Sequence, residues 1–515
     1  MRQTRRQLLK TTAAVGPALM LSRVAAPAQA AAGQLKGMNV VVFLTDQERG
    51  IQHFPSGWAA ENLPGDNRLR RYGLTFRQAF TDACMCSPAR STWMTGFFPA
   101  QHGVKYTLEA ESFPPKNPQV ELPLDLPNLA TVMKSAGLNP VYKGKFHCVK
   151  AAAGGENWVP QDVGQYGWMR WNPPDAGANQ NLDQAGGGIV NNDFRYMTSI
   201  GDVASGAEGV LQFLSSSDAK QQPFFLVVSL VNPHDVLFYP GNYLPAGYGN
   251  TWLLGDIQAP STWQEDLSTK PHAQQQFKQM FQIGGGVIAK EQQVRAYLNF
   301  YGNLIKSSDS YLMQVLDALQ AQNLLDNTLV IKTSDHGDMG LSHGLRQKNF
   351  NFYEESLRVP LVYSNPKLFP NPRITDAMVS HVDFLPTMAS LFGATATAPW
   401  QGVDYSSVVM DPSTSVQDYI VFTFDDFQSG QQNPPYPSPP NHVVSIRENR
   451  WKLAEYFDPL HRQPSVFEMY DRAADPTEVK NLAYAGYTRT RDQERQYLRL
   501  RRKLAQVKVN RLAPL

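Results

Sequence analysis

The chain reads as an α/β protein built on a large, mostly parallel sheet flanked by helices, with a smaller antiparallel sheet and one helix towards its C-terminus. Three observations predict this. Runs such as Asn39-Val40-Val41-Val42-Phe43-Leu44 and Phe224-Phe225-Leu226-Val227-Val228-Ser229-Leu230 are almost continuously apolar, the pattern of strands buried on both faces. Stretches of helical period lie between such runs, the clearest carrying Val294, Leu298, Tyr301, Ile305, Leu312, Val315, Leu316 and Leu319 on one side. Past about residue 413 the pattern changes to short strands in succession, which suits a separate sheet.

Taken in order, the first strand covers residues 38–45 and ends in Asp46. A helix over residues 126–136 puts Leu129, Val132 and Met133 on one face, stops at Gly137 and leads into a short strand at 140–142, with Lys145 and His147 just beyond. Residues 151–192 are rich in Gly, Asn and Pro and carry Trp158, Trp168 and Trp171; three tryptophans in an irregular excursion predict an ordered lid at a pocket rim. A helix near 206–214 precedes the strand at 224–230, which runs into Asn232-Pro233-His234-Asp235. The strand at 328–331 runs into Ser334-Asp335-His336-Gly337, and a strand at 359–363 and a helix at 383–392 follow. Short strands at 419–423, 443–446 and 451–453 lead to a terminal helix with Tyr497, Leu500 and Leu504 inward. Its Arg499, Arg501, Arg502 and Lys503 read as a solvated face. The resulting division is 38–405 for the main domain and 413–515 for a C-terminal α+β subdomain. Parallel sheets place their sites at the carboxyl ends of strands, and Asp46, His234 and Asp335 all fall there.

With 515 residues the chain is long enough for a substantial core, and a formal charge of +2 leaves no large field for nucleic acid or a membrane surface. A small molecule is the expected partner. Three cysteines are too few for a disulfide framework; Cys84 and Cys148 are either a pair or two buried thiols. Residues 1–30 carry Arg5-Arg6 before a weakly apolar stretch and end in Ala28-Gln29-Ala30, as a twin-arginine (Tat) signal does. That stretch is shorter than the ~20 residues a membrane-spanning helix needs. Export by the Tat machinery to the periplasm or outside, without a stable membrane anchor, is expected.

The chemistry centres on Cys86-Ser87-Pro88-Ala89-Arg90. Pro88 marks a first helical turn, so Cys86 sits at the helix mouth, where unpaired amide hydrogens favour an anion, and Arg90 adds a fork of donors one turn on. Asp46 and Asp335 are hard oxygen ligands and His336 adds a nitrogen, a set suited to a divalent metal. Lys145, His147, His234 and Lys348 supply the cations and proton carriers that transfer of a tetrahedral anion requires.

The pentad, together with Thr45-Asp46-Gln47, Lys145-Phe146-His147, Asn232-Pro233-His234-Asp235, Ser334-Asp335-His336-Gly337-Asp338 and Lys348-Asn349-Phe350, resembles the ordered motifs of the type I sulfatases. Glu468-Met469-Tyr470-Asp471 and Asn481-Leu482 resemble that family's C-terminal segment. The resemblance implies an alkaline phosphatase-like fold and a sulfatase hydrolysing an aryl or alkyl sulfate ester. It also implies that Cys86 is converted by a formylglycine-generating enzyme to 3-oxoalanine (formylglycine), whose hydrate is the nucleophile. By the same resemblance Asp46, Gln47, modified Cys86, Asp335 and His336 bind the metal, while Arg90 and Lys145 hold the formylglycine. His147 is then the base that breaks the sulfated hemiacetal, and His234, Lys348 and Lys145 grip the sulfate, with His234 or Lys348 protonating the leaving group. Asp46-Gln47 and Asp335-His336 stand where many arylsulfatases have Asp-Asp and Asp-Asn. They look more like the choline sulfatase and phosphonate monoester hydrolase branch, which admits Mn²⁺ beside the Ca²⁺ expected first and keeps phosphonate monoester or phosphodiester hydrolysis as the alternative.

Overall fold

A computed structural model describes residues 33–109, 118–179, 181–429 and 434–514. The twin-arginine segment lies outside the described residues. Among those described, no helix is long and apolar enough to cross a membrane.

Seven strands form the main sheet: β1 (Asn39–Asp46), β2 (Gly73–Phe80), β4 (Asn139–Gly144), β5 (Phe224–Pro233), β6 (Thr328–Ser334), β7 (Leu361–Ser364) and β8 (Arg373–Ser380), in the order β4-β5-β1-β6-β7-β2-β8. Strands β4, β5, β1 and β6 pair in parallel, as do β2 and β8; β7 runs against both its neighbours. The continuous apolar runs are explained by burial on both sides of the sheet. Val40, Val42 and Leu44 face a core shared with Leu129, Val132, Met133, Leu385 and Met388, while Val41 and Phe43 face Leu312, Val315, Leu316 and Leu319 of the long helix Glu291–Ala321.

The second sheet has the order β12-β11-β10-β9-β3, from β3 (Ala83–Cys84), β9 (Tyr419–Phe424), β10 (His442–Glu448), β11 (Trp451–Phe457) and β12 (Val466–Asp471). Strands β9 to β12 are antiparallel, and the terminal helix Arg491–Asn510 packs Leu500, Leu504 and Val507 against Val444, Ile446, Leu453 and Met469. Strand β3 pairs in parallel with β9, so Ala83 and Cys84, one residue short of the Cys86 helix, are anchored to this sheet. The outward basic residues of the terminal helix are only partly a solvated face, because Arg499 and Lys503 both bond to Glu448.

Two sequence expectations change. Trp168 and Trp171 are not lid residues but core: Trp168 stacks near Phe225, and Trp171 donates its indole N–H to the Gly144 carbonyl. Trp158 lines a cavity. The cysteine alternatives resolve to three free, buried thiols, with Cys148 next to the Ser91 hydroxyl.

Candidate active site

The site gathers at the carboxyl ends of β4, β5, β1 and β6. Asp46 is the last residue of β1, and Asp335 follows β6 with its amide bonded to the Thr45 carbonyl, so two carboxylates leave adjacent strands side by side. The helix Cys86–Thr95 begins at Cys86, with Pro88 in its first turn as its sequence demands. All ten of its residues are buried, Cys86 included. At the end of β4, Gly144 has φ of 95°, and any Cβ there would lie 2.0 Å from the Ser229 carbonyl oxygen. Only glycine allows the close approach that lets Lys145 turn into the site, its amide bonded to that same carbonyl.

Ligand atoms of Asp46, Cys86, Asp335 and His336 all lie within 4.8 Å of one another. The Cys86 Sγ is 3.2 Å from His336 Nε2 and 3.7 Å from Asp46 Oδ1. His336 donates Nδ1–H to the Gly337 carbonyl at 3.0 Å, which fixes the ring and leaves the Nε2 lone pair towards the cluster, the usual arrangement of a ligating imidazole. Arg90 spans the two carboxylates, Nε to Asp335 at 2.9 Å and Nη2 to Asp46 at 3.1 Å, and its Nη1 donates to the Lys145 carbonyl and the Ser229 hydroxyl. Lys145 Nζ lies 2.5 Å from Asp46 and also bonds the Gly177 carbonyl. Lys348 Nζ donates to the Gln47 amide oxygen at 2.7 Å and lies 3.8 Å from the Cys86 sulfur.

These charges set the ionisation states. Burial opposes ionisation of Asp46, but Lys145, His234, Arg90 and His336 outweigh it and hold its carboxyl well below the usual range. Asp335, under burial and the neighbouring Asp46 charge, is pushed up. Burial and Asp46 likewise oppose a Cys86 thiolate, yet Lys145, Lys348 and His336 bring the thiol well below its ordinary value. His234, buried and facing Lys145, is pushed down to about 3.

His147 hydrogen-bonds through Nε2 to the Leu108 carbonyl at 2.8 Å, and its buried Nδ1 has no partner among the described residues. Since a carbonyl can only accept, Nε2 carries a proton, and Nδ1 is the ring nitrogen left uncommitted. Gln47 and His147 both hold left-handed backbone, with φ of 71° and 55°, a conformation disfavoured for residues with a Cβ and concentrated at functional sites.

The Sulfatase family pattern matches residues 38–394, and that of the N-sulphoglucosamine sulphohydrolase C-terminal region matches 342–509. The chain belongs to the sulfatase family. Among its relatives, the choline-sulfatase of Rhizobium meliloti is 27% identical over 463 residues, covering 86% of this chain and 82% of that protein. The Delta 4,5-hexuronate-2-O-sulfatase of Bacteroides thetaiotaomicron is 25% identical over 430 residues, covering 82% and 79%. Solved structures share the fold: a 2-O GAG sulfatase superposes with TM-score 0.67 at 20% identity over 93% of each chain, and the phosphonate monoester hydrolase of Agrobacterium radiobacter with 0.65 at 21%, covering 92% and 96%. This sulfatase is thus a sulfuric ester hydrolase on an alkaline phosphatase-like scaffold.

Sequence reasoning missed the residues that hold the sulfatase site in place. Asp175 accepts the amide hydrogens of Phe146 and His147 at 2.7 Å each, Asp338 accepts from the Gln47 side chain at 2.8 Å, and the Tyr142 hydroxyl donates to the Lys145 carbonyl at 2.8 Å. Asp338 closes the Ser334-Asp335-His336-Gly337-Asp338 motif and could have been found there; Asp175 sits in the irregular stretch with no pattern around it.

Proposed function

We propose that this sulfatase acts through Cys86 as formylglycine and a divalent cation, releasing inorganic sulfate from an organic sulfate ester. The observation that carries the reading is the convergence of Cys86 with Asp46, Asp335 and His336 within 4.8 Å. The donor set fits a cation: two carboxylates that must otherwise be neutralised by Arg90 and Lys145, and an imidazole already anchored by its other nitrogen. Asp46, Asp335, His336 and the Cys86-derived hydroxyl would hold it, with the Gln47 amide oxygen as a further donor. Ca²⁺ comes first for the oxygen donors and Mn²⁺ second for the imidazole. Bound there, such an ion would acidify the hydroxyl of the aldehyde hydrate and polarise a sulfate oxygen.

The chain's own residues do the rest. Arg90 and Lys145 hold the carboxylates and the nucleophile in register. Lys145, Lys348 and His234 grip the sulfate oxygens, and the free Nδ1 of His147 takes a proton from the modified Cys86 after the alcohol has left. Residues 1–30 direct export by the Tat route, which carries folded proteins and so allows a cytoplasmic formylglycine-generating enzyme to act first. Residues 38–405 carry the chemistry and 413–515 support it.

The test is an intact mass of the exported protein together with sulfate release. Conversion of the cysteine lowers the mass by about 18 Da, whereas ordinary thiol oxidation raises it. Aryl sulfates should be turned over faster than the matching aryl phosphonate monoesters and phosphodiesters. The opposite order, or an unmodified Cys86 in fully active protein, would overturn the proposal.

A further inference from the structure

A cavity of about 520 Å³ lies beside β2 and the start of β7, under the short helices Trp58–Asn62 and Pro64–Arg71. That volume falls within the roughly 300–1,000 Å³ usual for small-molecule sites. None of the residues assigned above to the nucleophile, the metal or the sulfate lines it.

Five cationic side chains line the cavity, Arg49, Arg70, Arg77, Lys332 and Arg358, against two carboxylates, Glu48 and Asp66. Both carboxylates are already engaged: Lys332 Nζ lies 2.9 Å from Glu48 and 3.6 Å from Asp66, and Arg70 Nε lies 2.5 Å from Asp66. Arg77 reaches only Asp376, at 3.6 Å with both side chains more than half exposed, a pair worth little in water. Arg358 donates to the Arg77 carbonyl and has no carboxylate partner among the described residues. Arg49 has none either. Its amide donates to the Tyr301 hydroxyl at 3.0 Å, its Nε to the Gln52 side chain at 3.1 Å and its Nη1 to the Met339 carbonyl at 3.1 Å, while its buried Nη2 has no partner among the described residues. The guanidinium is thus fixed in place with one nitrogen uncommitted.

Cations gathered around one space repel one another, and a bound anion offsets that cost. A carboxylate matches the donor fork of a guanidinium. Much of the remaining wall is apolar: Phe54 and Trp58 meet edge to face with ring centroids 4.8 Å apart, and Phe76 and Ile305 line the cavity with them. A small inorganic ion would leave that surface uncovered, whereas an anion with a flat apolar body would cover it.

We propose that this cavity is a second ligand site, separate from the catalytic one, which takes an aromatic carboxylate: the acidic group meets Arg49 and Arg358, and the ring system rests on Phe54 and Trp58. Equilibrium dialysis of the full-length protein with 2-naphthoate tests this. One molecule per chain should bind, with Kd on the order of 0.1 mM. The same body without the charge, 2-naphthylmethanol, and the charge without the body, acetate, should each bind about tenfold more weakly or worse. Arg358→Gln should weaken 2-naphthoate by about tenfold or more, whereas Lys348→Ala, at the catalytic centre, should leave its affinity unchanged. Should Arg358→Gln not fold, Ala60→Trp fills the cavity from its exposed rim, removes no polar contact and should abolish binding. No binding of 2-naphthoate up to about 5 mM, equal affinity for the charged and neutral probes, or binding lost in Lys348→Ala and kept in Arg358→Gln or Ala60→Trp would overturn the proposal. Sulfate-ester turnover is not the readout, so any of these results leaves the sulfatase reading as it stands.

Discussion

The Sγ of Cys86 lies 3.2 Å from Nε2 of His336, at the mouth of a fully buried helix. A sulfur so placed shares its surroundings with two carboxylates and two lysines, and nothing in the packing requires sulfur in particular. Cys86→Ala should therefore keep the fold, at a cost of about 1–2 kcal/mol, while sulfate-ester turnover falls by about 10³-fold or more. Cys86→Ser should be nearly as inactive unless the host modifies serine. Thermal unfolding and sulfate release measured on the same samples check this, and wild-type turnover in the alanine variant would exclude Cys86 as the source of the nucleophile.

Arg90 engages Asp46 and Asp335 with one guanidinium, which holds the two carboxylates together. A divalent ion added there should bind tightly because the site is already assembled. Chelation should remove activity and re-addition restore it. Asp335→Asn should weaken cation binding by about tenfold or more, since both a ligand charge and a partner of Arg90 are lost. Elemental analysis and a titration with Ca²⁺ and Mn²⁺ are the measurements; active enzyme free of any divalent ion would contradict the assignment.

Away from the site, His53 bonds to Glu355 at 2.9 Å. Burial opposes ionisation of Glu355, but this bond and the charges of His343, His53 and Arg49 bring its carboxyl down to about 2. A folded value below the unfolded one means stability that is fully present above the unfolded value near 4.3 and is lost as pH falls towards 2; the size is on the order of 3 kcal/mol. Glu355→Gln should lower stability at pH 6 and flatten its decline between about pH 5 and 3. Denaturant midpoints across that range provide the check, and parallel curves for the two proteins would rule out Glu355 as a source of the acid sensitivity.

How much was legible follows from where the signal lies. Strands β1, β5 and β6 are buried on both faces and announce themselves as apolar runs, and the residues that end them are the site residues. Strand β2 is interrupted by Arg77 and Gln78, and β8 begins with exposed Arg373 and Ile374 at the sheet edge, so neither carries a continuous run and both were missed. The chemical groups were legible because each sits in a local motif. Asp175 and Ser229 were not, because their roles exist only through partners tens to hundreds of residues away. The tryptophans at 158, 168 and 171 misled for the same reason: an irregular backbone does not reveal which side chains turn inward.

The last prediction separates the two histidines. His147 is committed through Nε2 to Leu108, and its Nδ1 is uncommitted among the described residues, which suits a base. His234 makes no hydrogen bond through its ring among the described residues, and burial together with the Lys145 charge brings it down to about 3. To act as an acid it must gain a proton, and the sulfate anion is the charge that would favour one beside Lys145 and Lys348. Proton donation matters most when the leaving oxygen is basic, so His234→Ala should lose little on nitrophenyl sulfate and more, within the ~10²–10⁴ typical of general acid catalysis, as leaving-group pKa rises. His147→Ala should instead slow all esters alike, because its step follows departure of the alcohol. Rates for both variants across aryl sulfates of graded leaving-group pKa decide between them. Lys348 can share the proton and flatten the His234→Ala slope, so the double variant with Lys348→Ala should be steeper still; a steep slope in His147→Ala with none in His234→Ala would reverse the two roles.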